Sequence, residues 1–132
     1  MEIDQFTLDE ANALVPWLEE AFHRLESVRL EHLALHERLI GLLQRREGNE
    51  PPASNDDLTD IRNEMDRLAS QIEDGVEDIL DRGIIVRTVD TGLVDFPSQR
   101  EGREIYLCWI RGEERIDFWH ETDRGFAHRQ PL

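Results

Sequence analysis

The side chains best suited to chemistry gather between Asp95 and Arg129. His120 closes an apolar stretch beside Glu121 and Asp123, and Asp95 joins it if the strand carrying Asp95 pairs with a later one. A carboxylate against an imidazole suits acid–base work, half of a metal site, or a structural hydrogen bond, and the residues alone leave all three open. Metal ligands, on this reading, come from His120, Glu121 and Asp95. Trp109 or Trp119 offers an aromatic face to a small ligand, and Arg129 an anion clamp. Cys108 is the single cysteine, so no intrachain disulfide forms and a reducing cytoplasm fits. Far from this cluster, His32 and His36 stand at the i, i+4 spacing that lets two imidazoles share a metal. His32 also occupies a packing seam, and that role is favoured.

No phosphate-binding glycine loop, nucleophile elbow, paired-cysteine zinc spacing or His-Glu-x-x-His run occurs. The sequence therefore implies no cofactor, and whether the chain is an enzyme stays open.

Two kinds of element must position these residues. Thr7-Leu8-Asp9-Glu10 has the form of a capping box that opens a helix. Apolar positions then fall at Leu14, Leu18, Ala21, Leu25, Val28, His32, Leu35, Leu39 and Leu42, alternating steps of four and three. That is the heptad seam of a coiled coil. Pro16 predicts a break near Val15. Gly48 to Asn55 reads as a loop, and a second helix from Ser54 or Asn55 carries the seam Leu58, Ile61, Met65, Leu68, Ile72, then Gly75 or Val76, then Ile79, to a stop at Gly83. A short loop makes the two helices antiparallel neighbours. Phe22, Leu30, Leu33, Ile40 and Leu43 lie beside the seam, an apolar surplus that points to a homodimer of hairpins.

Beyond Ile84 the period becomes that of strands. Ile84–Val89, Leu93–Phe96 (closed by Pro97), Arg103–Ile110 and Arg115–Glu121 are expected strands. A tight turn with Gly112 at its first central position sets Trp109 opposite Ile116, Leu107 opposite Phe118 and Ile105 opposite His120. In that register Cys108 and His120 point to opposite faces, Cys108 lies near Asp117, and neither a Cys–His pair nor a shared metal is available. The basic tail from Arg124 either folds back over the sheet with Phe126 as anchor or binds acidic helix.

The expected fold is thus α+β: an acidic antiparallel helical hairpin over residues 1–82, then a small antiparallel β cap with its tail over residues 83–132. Charge follows the same division. Met1–Asp81 holds 21 acidic residues and 7 arginines, whereas Arg82–Leu132 holds 9 and 8. A net charge of −15 repels phosphates and anionic lipid surfaces, which argues against nucleic acid and membrane partners. No apolar run is long enough to span a bilayer, and charged Glu2 and Asp4 do not suit a signal peptide.

Several motifs carry a resemblance. Phe6-Thr7-Leu8-Asp9-Glu10-Ala11-Asn12-Ala13-Leu14, Gly92-Leu93-Val94-Asp95-Phe96-Pro97, Tyr106-Leu107-Cys108-Trp109, Phe118-Trp119-His120-Glu121, and Gly125-Phe126 with Arg129-Gln130-Pro131-Leu132 resemble a bacterial family known as domain of unknown function 2203. The resemblance spans nearly the whole chain. It implies no activity, substrate or cofactor, and it directs attention to Asp95, Cys108, Trp109, Trp119, His120, Glu121 and Arg129. Among functions, a self-associating or partner-binding module is the favoured expectation. The alternative is a metal- or small-ligand-binding protein, or an enzyme, using the Asp/His/Glu cluster.

Overall fold

A computed structural model describes residues 5–45 and 54–132. The chain divides into two compact units, one running to His23 and resuming at Gly75, the other comprising Arg24–Asp74. Helices are α1 (Leu8–Ala13), α2 (Val15–Arg45) and α3 (Asn55–Leu80). Strands are β1 (Ile85–Thr88), β2 (Leu93–Arg100), β3 (Arg103–Ile110), β4 (Phe118–Glu121) and β5 (Gln130–Pro131).

The helix boundaries follow from local chemistry. Thr7 Oγ1 accepts from the Glu10 amide at 3.1 Å while Glu10 Oε1 accepts from the Thr7 amide at 2.9 Å, so two otherwise orphaned donors are satisfied reciprocally. Leu14 interrupts the helix ahead of Pro16, whose ring cannot follow an uninterrupted turn. Ser54 caps α3 by accepting from the Asp57 amide at 3.0 Å. Beyond Leu80, Gly83 takes φ +88°, a conformation that costs glycine little. The loop expected before Ser54 lies mostly outside the described residues.

Within the Arg24–Asp74 unit, Leu25, Leu58, Ile61 and Leu68 are buried. Glu31 on α2 acts electrostatically on Arg67 of α3, so these stretches are neighbours. The eight seam positions on α2, from Leu18 to Leu42, are buried or half-buried. Leu30, Leu33 and Ile40 are exposed.

In the other unit the strands form one antiparallel meander in the order β1-β2-β3-β4-β5. Its inner face holds Val94, Phe96, Ile105, Leu107, Trp109 and Trp119, all buried. Phe22 meets Trp109 at 6.3 Å between ring centroids, and Phe6 meets Phe96 edge-on at 5.1 Å. Two strand expectations are corrected here. Pro97 does not close β2, which runs on to Arg100. The Pro97 carbonyl accepts from Phe6 N–H at 2.8 Å, so its backbone polar edge faces away from β3, and the missing N–H costs no bond to β3. The second correction is the register of β3 with β4. Tyr106 stands opposite His120 and Leu107 opposite Trp119, one residue away from the pairing that a tight turn dictates. Gly112, at φ +105°, takes the second central position of a turn closed by Glu113 N–H to the Ile110 carbonyl. The chain then continues irregularly to Asp117, with Ile116 N–H donating to Asn12 Oδ1 at 2.7 Å. A one-residue shift exchanges the faces of every side chain in a strand. Trp119 therefore joins the inner face, while Phe118 and His120 go to the outer one.

The tail returns along the edge of the sheet beside β4. Gln130 pairs with Trp119 and Pro131 with Phe118, giving β5. Phe126 remains substantially exposed, and Arg129 stacks upon it at 4.1 Å.

Gly92 is buried at φ +69°, where an added Cβ would lie 2.7 Å from Arg111 Cβ and 3.4 Å from the Phe22 ring. Gly92→Ala is expected to lower stability by about 1–3 kcal/mol through strain and displacement. Urea denaturation checks this, and an unchanged midpoint would show that the β1–β2 turn adapts freely.

Candidate functional site

The shifted register assembles on the outer face of the sheet what the other pairing separates. Asp95 sits opposite Cys108 on β3, and His120 opposite Tyr106, so strand alternation turns Asp95, Cys108, Tyr106 and His120 to the same side. Asp95, Cys108 and His120 are 2%, 0% and 1% exposed, a degree of burial that carboxylates and imidazoles reach only when paired.

The pairing is explicit. His120 Nε2 lies 2.9 Å from Asp95 Oδ1, and His120 Nδ1 lies 2.9 Å from the Glu121 carbonyl oxygen. Asp95 Oδ2 accepts from Arg87 Nε at 2.8 Å, a bond that raises the affinity of the Arg87 guanidinium for its proton. The Arg87 guanidinium lies 5.2 Å from the Tyr106 ring centre, and that ring meets the His120 ring edge-on at 5.5 Å. Both partners of the imidazole are acceptors. A neutral ring donates from one nitrogen only, to the carbonyl from Nδ1 or to Asp95 from Nε2.

Cys108 adjoins this pair. Burial pushes its thiol up to about 12, assisted by the charge of Asp95 and a hydrogen bond to it and opposed by Arg129. The neighbour that disfavours the thiolate is thus Asp95, and the expectation of Asp117 is corrected: the Asp117 carboxylate pairs with Arg115 at 2.9 Å. Neither imidazole nitrogen has a lone pair aimed at Cys108, since both are engaged elsewhere. A thiolate nucleophile activated by His120 is therefore unsupported in this arrangement. Cys108 and His120 do share a face, contrary to the sequence reading, and their ligand atoms lie together with that of Asp95 within 4.8 Å.

The remaining sequence candidates lie elsewhere. Trp109 is fully buried on the inner face, and its Nε1 donates to the Glu113 carbonyl at 2.9 Å, so it offers no ring to a ligand. Trp119, also buried, lies beneath the Arg100 guanidinium at 4.9 Å. The side chain of Glu121 pairs with Arg103 and alternates to the face opposite His120. Only its carbonyl joins the cluster. Arg129 reaches the outer face from the tail, stacked at 4.2 Å over Phe118 and bonded to Glu113 at 3.1 and 3.2 Å. Arg87, Tyr106 and Glu113 were not singled out by sequence. The alternation of Ile85-Val86-Arg87 does mark Arg87 as sharing a side with Ile85, whose partner is Asp95.

The chain belongs to the family of uncharacterized conserved proteins DUF2203, whose model matches residues 5–132. No curated protein and no solved structure matches it. Among the described residues, no helix is long and apolar enough to cross a membrane.

The elevated thiol has a measurable consequence. Its ordinary value is 9.0, so the folded state holds the proton to higher pH than the unfolded one does. The associated stability is complete below about pH 9 and is lost as pH rises from there toward 12. Denaturation midpoints of the wild type are expected to fall across that window more steeply than those of Cys108→Ala. Parallel curves would show that Cys108 titrates alike in both states.

Proposed function

We propose that this protein is a self-associating module in which two copies join along helix α2. The observation that carries the reading is a row of large apolar side chains left in water: Leu30, Leu33 and Ile40 are 59%, 51% and 42% exposed. At about 100° per residue the row lies on the order of 150° around the helix from the seam. Helix α2 thus has apolar side chains on two sides, of which its own chain covers one.

Charge favours a second copy as the occupant. From Arg24 to Arg45 there are 4 arginines and 3 acidic residues, whereas α3 carries 9 acidic residues and 2 arginines. Two chains of net charge −15 repel each other over most of their surfaces, but not along this stretch of α2, which is slightly positive. Its arginines also suit the acidic α3 of a neighbouring copy. The result is the four-helix arrangement of two hairpins, burying apolar surface that is costly to leave hydrated.

Size-exclusion chromatography with light scattering tests the reading. The wild type is expected at twice the chain mass of 15.5 kDa. Leu33→Glu combined with Ile40→Glu replaces two exposed side chains and is expected to give a folded monomer with unchanged helix content, weakening association by at least about a hundredfold. A wild-type protein that stays monomeric at high micromolar concentration would refute the proposal.

A further inference from the structure

Self-association through α2 leaves the buried group on the outer sheet face without a role. Asp95, Cys108 and His120 each offer one ligand atom there, and the three atoms lie within 4.8 Å of one another. We propose that these three side chains bind a single divalent transition-metal ion, zinc being the best match, with Arg87 and the Glu121 carbonyl orienting the ligands from behind. The proposal is independent of how copies associate.

Distances come first. Zinc bonds of roughly 2.0–2.3 Å in tetrahedral geometry put neighbouring ligand atoms ~3.3–3.5 Å apart. The His120–Asp95 separation of 2.9 Å must open slightly, and from within 4.8 Å Cys108 must move in by about 1.3 Å at most. Both changes are within reach of side-chain rotation on strands already paired.

The outer sphere is in place. A metal-binding histidine ordinarily donates its second ring N–H to a carbonyl or carboxylate, and a metal-binding carboxylate is itself hydrogen-bonded. His120 Nδ1 faces the Glu121 carbonyl at 2.9 Å, which leaves Nε2 as the ligand, and Arg87 holds Asp95 Oδ2 at 2.8 Å, which leaves Oδ1. These are the two atoms that face each other, with Cys108 beside them.

The ligand types decide the class of ion. Bound to metal, the three side chains present a thiolate, a carboxylate and a neutral imidazole, two negative charges against a doubly charged cation. Coordination deprotonates a ligating thiol outright. A ligand set of sulfur, nitrogen and oxygen selects zinc over magnesium or calcium, which prefer oxygen alone. Three protein ligands leave a fourth position for water.

The test uses the untagged full-length chain, stripped with a chelator and kept in millimolar magnesium to occupy exposed carboxylates. Zinc is titrated against a chromophoric chelator, and proton release is followed in weakly buffered solution. Cobalt replaces zinc in a parallel titration to report thiolate coordination by its charge-transfer absorption. One ion per chain, proton release on binding and a thiolate–cobalt band are expected. Cys108→Ser, a near-isosteric change whose folding is checked by circular dichroism, is expected to abolish the band and weaken zinc binding at least tenfold. Arg87→Gln is expected to weaken binding by roughly 10–100-fold while keeping the band. A folded wild type that takes up no stoichiometric zinc overturns the proposal. So does stoichiometric zinc bound without proton release, or with the same affinity in Cys108→Ser.

Discussion

Side chains alternate across a strand, so the pairing of β3 with β4 decides which residues can ever meet. With Tyr106 opposite His120, His120 is carried to the side of the sheet that holds Asp95 and Cys108, and Trp119 to the side that holds Leu107 and Trp109. One residue of slip would reverse both assignments, burying an imidazole among inner-face aromatics and turning Trp119 to the outer face. The polar cluster and the apolar inner face are therefore two consequences of one constraint.

The inner face is stabilised by burial, with Trp109, Phe96, Val94 and Leu107 almost wholly removed from water. The outer cluster obeys different physics. Removing Asp95 and His120 from water is costly, and it is offset by the bonds that satisfy every side of the pair: Arg87 on one carboxylate oxygen, His120 on the other, and the Glu121 carbonyl on the far nitrogen. Such networks are neutral when complete and strongly destabilising when broken, since loss of one partner leaves a buried polar group unpaired. Aliphatic side chains on this outer face would avoid that desolvation cost, so the network contributes less to stability than its number of bonds suggests.

Local features of the fold are legible in the sequence because local residues determine them. Thr7 and Glu10 cap a helix from three residues apart, Pro16 enforces a break, Ser54 and Gly83 bound α3, and the four–three spacing marks a row on α2 that is buried at Leu18, Ala21 and Leu25 and half-buried beyond. Register was not legible, because it depends on contacts far apart in the chain. Asn12 holds the Ile116 amide, and the Glu19 carboxylate accepts from the Gly112 amide at 3.0 Å. These bonds, made across roughly a hundred residues, hold an irregular segment where the alternation of Arg115-Ile116-Asp117-Phe118 suggests continuous strand. Pro97 misled for a related reason: whether proline ends a strand depends on what lies beside it, and here Phe6 does. For the candidate site, Asp95 and His120 could be paired from sequence, but Cys108 could join them only once the register was known.

The relative placement of β3 and β4 can be read directly from cross-strand nuclear Overhauser contacts in the isotope-labelled protein. Backbone contacts of Leu107 with Trp119 and of Tyr106 with His120 are expected, together with contact between the Tyr106 and His120 rings. Contacts of Leu107 with Phe118 and of Ile105 with His120 would contradict this pairing, because they would return His120 to the inner face, away from Asp95 and Cys108.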